Sequence, residues 1–136
     1  EASPEADAAH SPGAGRILIM DDEAMLRETI SAMLQSHGYE TVLAADGAEA
    51  LRIFDASLSA GNPFAAVILD LTVSGGMGGR ETIVELRLRD TKIPVFVASG
   101  YADDPILARP QEFGFTAGIP KPFTRKALIG ILCQYL

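Results

Sequence analysis

Short apolar runs alternate with amphipathic stretches from Arg16 onward, and this alternation constrains the fold most strongly. The predicted strands are residues 17–20, 41–45, 66–70, 94–99 and 116–119. After each strand, apolar residues recur three or four positions apart, as they do on one face of a helix. Such strand–helix units predict a parallel sheet with helices on both faces. We therefore predict an α/β fold with three layers.

The predicted helices carry signals at their ends. Asp46 and Thr124 are expected to cap the second and the last helix. A fourth helix is predicted over residues 103–112, with Pro110 fraying or kinking it, because a proline inside a helix loses a hydrogen bond. The predicted buried residues of the second and last helices are Leu51, Phe54, Leu58, Leu128, Leu132 and Leu136.

Composition excludes several classes of protein. A chain of 136 residues with 48% hydrophobic and 21% charged residues suits one globular domain, which we place at residues 16–136. Its net charge of −7 argues against broad nucleic-acid binding. No apolar run reaches the roughly 18 residues of a membrane span, and the N-terminus does not resemble a signal peptide.

These observations lead us to expect a cytoplasmic domain without direct membrane contact. Cys133 is the single cysteine, so it cannot form an internal disulfide, and we interpret it as a small core residue. Residues 1–15 contain no Val, Ile, Leu, Phe or Tyr. Such a segment buries too little surface to offset its ordering entropy, so we predict a flexible linker or tail there.

Polar side chains follow four of the predicted strands at the point where each strand ends. They are Asp21, Asp22, Glu23, Asp70, Ser99 and Lys121. In open α/β sheets, ligands bind beyond the carboxyl ends of the strands, where the strand order reverses. With a strand order of 2-1-3-4-5, the first and third strands are neighbours and their three aspartates converge. Three carboxylates at close range repel unless a cation neutralises them, and Mg²⁺, which prefers oxygen ligands, is the natural candidate.

Simpler interpretations exist for each residue alone. An aspartate after a strand is usually a turn former or a helix cap, and Asp22 or Glu23 could cap the first helix. The glycine-rich segment GGMGG, residues 75–79, could be only a loop, since it lacks the Lys-Ser/Thr pair of a phosphate-binding P-loop. The functional interpretation is favoured because acids, a hydroxyl and a lysine share the same end of different strands.

Four motifs together resemble the receiver domain of two-component response regulators over about residues 16–136. The motifs are ILIMDDE (17–23), VILDLTVSGGMGG (67–79), PVFVASGYADD (94–104) and IPKPF (119–123). The resemblance implies a flavodoxin-like fold with sheet order 2-1-3-4-5. It also implies that Asp70 accepts a phosphoryl group from a phosphohistidine on a histidine kinase or histidine phosphotransfer protein.

The same resemblance implies roles for the other site residues. Asp21, Asp22 and Asp70, with the backbone carbonyl of Thr72, would bind Mg²⁺. Ser99 would hydrogen-bond the phosphoryl oxygens and Lys121 would pair with them. The Lys121–Pro122 peptide bond is expected to be cis.

The sequence departs from the family pattern at two positions near the site. Many receivers carry an aromatic residue three positions before the lysine, but this chain has Gly118 there, and Tyr101 could substitute as a mobile aromatic. Ser74 replaces a common proline, and the glycines after it predict a mobile loop that orders when Mg²⁺ or phosphate binds.

Other functions and contexts remain open from sequence alone. A phosphatase of the haloacid dehalogenase type needs a second acid two residues after its nucleophile, where this chain has Thr72. We therefore expect slow self-dephosphorylation and no turnover of phosphate esters. A pseudo-receiver that never takes phosphate is a further alternative. The wording of the motifs resembles receivers at the C-terminal end of hybrid sensor histidine kinases, with a single-domain regulator as the competing context. We expect the isolated domain to be a monomer.

Overall fold

The computed structural model describes residues 15–101 and 103–136. Its sheet has five strands, all parallel, in the order β2-β1-β3-β4-β5, as predicted. The strands are β1 (Arg16–Met20), β2 (Glu40–Ala44), β3 (Ala66–Asp70), β4 (Val95–Ser99) and β5 (Ala117–Pro120). Apart from Gly15, the predicted tail lies outside the described residues.

The helices alternate with the strands. They are α1 (Ala24–Gln35), α2 (Gly47–Ser59), α3 (Gly79–Arg89), α4 (Pro105–Ala108) and α5 (Arg125–Tyr135), with a 3-10 helix at Pro110–Phe113. The predicted caps are confirmed: Asp46 accepts from the Glu49 N–H at 2.9 Å and Thr124 from the Ala127 N–H at 3.1 Å. Within the described residues, every helix is too short or too polar to cross a membrane.

Two apolar cores, one on each face of the sheet, produce the three predicted layers. In β1, Leu18 and Met20 face the core beneath α2, α3 and α4, whereas Ile17 and Ile19 face the core beneath α1 and α5. The strands are apolar on both faces because each face is covered by helices. Cys133 is half-buried at the margin of the second core.

Two predictions about helices were wrong. The fourth helix does not run continuously over residues 103–112, but the predicted disruption by Pro110 is confirmed: the helix divides at Arg109, where ψ is 65°, because Pro110 disfavours a helical residue before it. Leu58 and Leu136 are 41% and 46% exposed rather than inward-facing. Ser57 takes the buried position in α2, with its hydroxyl donating to the Phe54 carbonyl, and Leu136 lies beyond the last residue of α5.

Candidate functional site

The predicted acidic residues meet because β1 and β3 are adjacent and in register, with Met20 beside Leu69. Asp21 follows β1 directly, and Asp70 is the last residue of β3. Carboxylate oxygens of Asp21, Asp22 and Asp70 all lie within 4.8 Å of one another. Asp21 and Asp70 are buried, at 2% and 6% exposure, while Asp22 is open to solvent.

Lys121 reaches this cluster from the end of β5. Its ammonium donates to Asp21 Oδ2 at 3.0 Å and to Asp70 Oδ1 at 3.1 Å. The backbone N–H of Lys121 holds the residue in place by donating to the Ser99 carbonyl at 2.8 Å. The Lys121–Pro122 peptide bond is cis, as expected. The lysine therefore joins the ends of β1, β3 and β5.

One ammonium does not balance three carboxylates. Burial is the main reason that the pKa of Asp70 rises to about 6; the negative charge of Asp21 adds to this and Lys121 opposes it. Burial lowers the pKa of Lys121, but its bonds to Asp21 and Asp70 outweigh burial, so that pKa lies above the ordinary value. Near neutral pH the cluster thus keeps an excess of negative charge. Its closely spaced oxygen donors fit a hard divalent cation such as Mg²⁺.

The loop between β1 and α1 is held by bonds that the sequence did not predict. Asp21 Oδ1 accepts from the Glu23 N–H at 2.9 Å, and the Asp21 carbonyl accepts from Arg27 Nη1 at 2.7 Å. Asp22 Oδ2 accepts from the Ser74 N–H at 3.1 Å, in the loop after β3. Glu23 precedes α1, but its side chain makes no capping bond, so that alternative is wrong for Glu23.

A hollow of about 440 Å³ opens beside the cluster. Its lining comprises Asp22, Glu23, Asp70, Thr72, Ser74, Gly100, Tyr101 and Lys121. Ser99 lies behind this surface, buried at 3% exposure, and its hydroxyl oxygen accepts from the Tyr101 N–H at 3.0 Å. Because Ser99 Oγ is the acceptor in this hydrogen bond, its hydroxyl proton can still be donated to another oxygen.

Glycines allow α3 to begin directly against the end of β3. A Cβ added to Gly79 would lie 2.7 Å from the Asp70 carbonyl oxygen, and one added to Gly78 would lie 2.6 Å from the Leu71 carbonyl oxygen. Both contacts are with backbone atoms, which cannot move aside as a side chain can. A side chain at either position would therefore push the start of α3 away from the end of β3.

Gly118 makes room for a side chain from α4. A Cβ at this position would lie 2.8 Å from Leu107 Cδ2, so Leu107 occupies the space beside β5. Tyr101 is 65% exposed and lines the hollow beside the carboxylate cluster. Space next to β5 that an aromatic side chain would need is thus taken by an aliphatic one.

A five-stranded parallel sheet with carboxylates and an ammonium at its carboxyl edge defines an α/β domain with a candidate divalent-cation site. The family model for the response regulator receiver domain matches residues 17–132, and the chain belongs to this family. It is therefore a receiver domain of two-component systems.

Individual relatives agree with the family. A putative NtrX-like response regulator from Rickettsia bellii (strain RML369-C) is 32% identical over 117 residues, covering 85% of this chain and 23% of that protein. The sensor kinase CckA from Brucella abortus (strain 2308) is 35% identical over 119 residues, covering 85% of this chain and 12% of that protein. The chemotaxis protein CheY4 of Vibrio cholerae superposes with a TM-score of 0.76 at 27% identity, covering 89% of this chain and 98% of that one. This chain spans only 23% of the length of that NtrX-like relative.

Proposed function

We propose that this domain accepts a phosphoryl group on Asp70 from a phosphohistidine of a histidine kinase or histidine phosphotransfer protein. The observation that carries the proposal is the Lys121 ammonium within 3.1 Å of Asp70 and 3.0 Å of Asp21, with Asp22 beside them. In this proposal Asp21, Asp22, Asp70 and the Thr72 carbonyl hold Mg²⁺. The bound cation would neutralise charge on the phosphoryl oxygens.

The arrangement suits phosphoryl transfer because that reaction depends on positioning and charge neutralisation more than on covalent chemistry. The P–N bond of the donor breaks with its electron pair staying on the imidazole, and a carboxylate oxygen of Asp70 forms the new P–O bond. Lys121, already bonded to Asp70, would pair with a phosphoryl oxygen. Asp21 keeps the ammonium in place through its own bond at 3.0 Å.

The switch in this proposal begins at Ser99. Its hydroxyl donates to the new phosphoryl group, and its bond from the Tyr101 N–H lengthens or breaks. The Tyr101 carbonyl accepts from the Asp104 N–H at 3.0 Å, and Asp104 caps α4, so the movement would reach α4. Leu107 of α4 packs against Gly118 of β5. This contact supports transmission of the conformational change through α4 rather than through an aromatic residue of β5. The loop holding Ser74 is predicted to order with Mg²⁺, and unchanged loop relaxation on adding the ion would oppose this.

A second, apolar hollow supports contact with a protein donor. It measures about 410 Å³ and is lined by Leu26, Ile30, Met33 and Phe123. It shares Gly100 and Lys121 with the hollow beside the carboxylate cluster. A donor that brings its phosphohistidine to Asp70 would rest on this surface. Phe123→Ala should slow transfer from a cognate donor without changing labelling by acetyl phosphate. Phe113→Ala, on an exposed residue outside this lining, is the control.

We further propose that the domain catalyses only its own phosphorylation and slow dephosphorylation. Thr72 cannot supply the acid that a haloacid dehalogenase-type phosphatase uses, which supports this ranking. The match to part of a sensor kinase supports a place in a hybrid histidine kinase, with a stand-alone regulator as the alternative. We also propose that the domain is a cytoplasmic monomer that does not bind nucleic acid. The single cysteine supports the cytoplasmic location, and the net charge of −7 supports the lack of nucleic-acid binding.

The test is incubation with acetyl phosphate and Mg²⁺ followed by intact-mass measurement. Wild-type protein should gain one phosphoryl group, and EDTA should prevent the gain. Asp70→Asn should stay unmodified, whereas Asp103→Asn, an exposed acid, should behave as wild type. Labelling that persists in Asp70→Asn would overturn the assignment of Asp70, and absence of labelling in wild type would favour a pseudo-receiver.

A further inference from the structure

We infer that Arg27 is a positioning residue for the cation-binding carboxylates, acting through the backbone on Asp22. The inference rests on the proposed function, because it concerns Mg²⁺ bound by Asp21, Asp22 and Asp70. Its basis is the 2.7 Å bond from Arg27 Nη1 to the Asp21 carbonyl oxygen, which crosses from α1 to the loop after β1.

The carbonyl that Arg27 holds determines the direction of Asp22. A peptide unit is planar, so fixing the carbonyl oxygen of Asp21 fixes the plane that contains the Asp22 nitrogen and Cα. The Asp21 side chain has other anchors, since Lys121 Nζ and the Glu23 N–H occupy its two oxygens. Asp22 is solvent-exposed, and the bond described for its side chain comes from the Ser74 N–H. Asp22 therefore depends on Arg27 more than Asp21 does.

The location of Arg27 is electrostatically unfavourable for the helix that carries it. Arg27 is the fourth residue of α1, and the first turn of that helix contains no acidic residue. The N-terminus of a helix carries partial positive charge and disfavours a cation. Arg27 is nonetheless half-buried with its guanidinium turned back toward the carboxyl edge of the sheet. The hydrogen bond to the Asp21 carbonyl, rather than helix stability, therefore explains the position of the Arg27 guanidinium.

If Arg27 positions Asp22, replacing it should weaken Mg²⁺ binding, whereas a purely electrostatic effect would strengthen it. Removing a positive charge near three carboxylates would strengthen Mg²⁺ binding by Coulomb attraction alone. Removing a positioning residue weakens it, and groups that orient metal ligands typically contribute roughly tenfold or more to affinity. We therefore expect Arg27→Gln to bind Mg²⁺ roughly tenfold more weakly than wild type. Arg27→Lys, which keeps the charge but not the planar fork, should lie between them.

The experiment is calorimetric Mg²⁺ titration of the full chain, with thermal unfolding in EDTA measured for each variant. Arg125→Gln is the matched control, since Arg125 also lies in the first turn of a helix but bonds Ser36 at the far end of α1. A cycle with Asp22→Asn tests the route: the effect of Arg27→Gln should largely vanish when Asp22 is already neutral.

Each outcome decides between the possibilities. Weaker Mg²⁺ binding by Arg27→Gln, with coupling to Asp22, supports the inference. Unchanged or tighter binding overturns it, as does an equal loss in the Asp22→Asn background. If Arg27→Gln does not fold, Arg27→Lys with wild-type affinity also overturns it. Wild-type protein that takes up no Mg²⁺ would instead contradict the proposed function.

Discussion

Neutralising Asp70 should stabilise the domain when no metal is present. The buried carboxylate has its pKa raised from 3.8 to about 6, chiefly by burial and then by the charge of Asp21. A carboxyl whose pKa is higher in the folded state than in the unfolded chain binds more protons when folded. Stability therefore falls as pH rises from about 4 to about 6, and the penalty stays in place above that range. Asp70→Asn cannot ionise and should avoid the penalty.

The size of the effect follows from the two pKa values. At 1.36 kcal/mol per pKa unit, the difference between 3.8 and about 6 corresponds to about 3 kcal/mol at neutral pH. The value of about 6 already includes the opposing effect of the bond to Lys121, so we expect Asp70→Asn to be about 3 kcal/mol more stable than wild type at pH 7.5. The difference should shrink by roughly two thirds at pH 4.5, where the folded wild type is largely protonated.

Urea denaturation in EDTA, followed by circular dichroism at both pH values, measures this difference. Saturating Mg²⁺ should then stabilise wild type more than Asp70→Asn, because only wild type presents the full set of carboxylates. The reasoning is refuted if Asp70→Asn is no more stable than wild type at pH 7.5. A stability difference that does not change with pH would also refute it.

Three further substitutions test the charge of the site, the packing beside it and the space around α5. Lys121→Met should tighten Mg²⁺ binding by at least about 1 kcal/mol, because the substitution removes an ammonium from the carboxylate cluster. The same substitution should slow phosphorylation. Weaker Mg²⁺ binding measured by calorimetry would contradict the first expectation. Gly79→Ala should cost about 1–3 kcal/mol in urea denaturation, because its Cβ would lie 2.7 Å from the Asp70 carbonyl oxygen. Gly130→Ala in α5 meets nothing within 4 Å and should stabilise by about 0.5–1 kcal/mol in the same assay; a loss of stability would show that the space is not open.

Much of the fold could be predicted because buried parallel strands leave an unmistakable apolar pattern. A strand such as 66–70 is covered on both faces, so its sequence is apolar throughout and its end is marked by a charge. The same physics places Asp21 and Asp70 together, since neighbouring parallel strands end at one edge. The helix caps could be predicted because Asp46 and Thr124 each accept a hydrogen bond from a backbone N–H only three residues away.

Other features could not be predicted because they depend on tertiary packing or on backbone groups. Leu58 and Ser57 both follow Phe54 at helical spacing, and only the packing of α2 on the sheet decides that Ser57 is the buried one. Two hydrogen bonds at the site involve main-chain atoms, which every residue has and which therefore leave no mark in a sequence. They run from the Ser74 N–H to Asp22 and from Arg27 to the Asp21 carbonyl. The one sequence feature that could have drawn attention to Arg27 was its position as a cation near the start of α1, where a positive charge is unfavourable.

Locating the cation tests the central claim most directly, namely that Asp21, Asp22 and Asp70 share one divalent ion. Mn²⁺ takes the same kinds of oxygen ligand as Mg²⁺, and its paramagnetism broadens the NMR signals of nearby nuclei. Titration with substoichiometric Mn²⁺ should broaden the amide signals of these three residues and of Thr72 first, and excess Mg²⁺ should restore them. Broadening centred elsewhere, or none that Mg²⁺ reverses, would contradict the account.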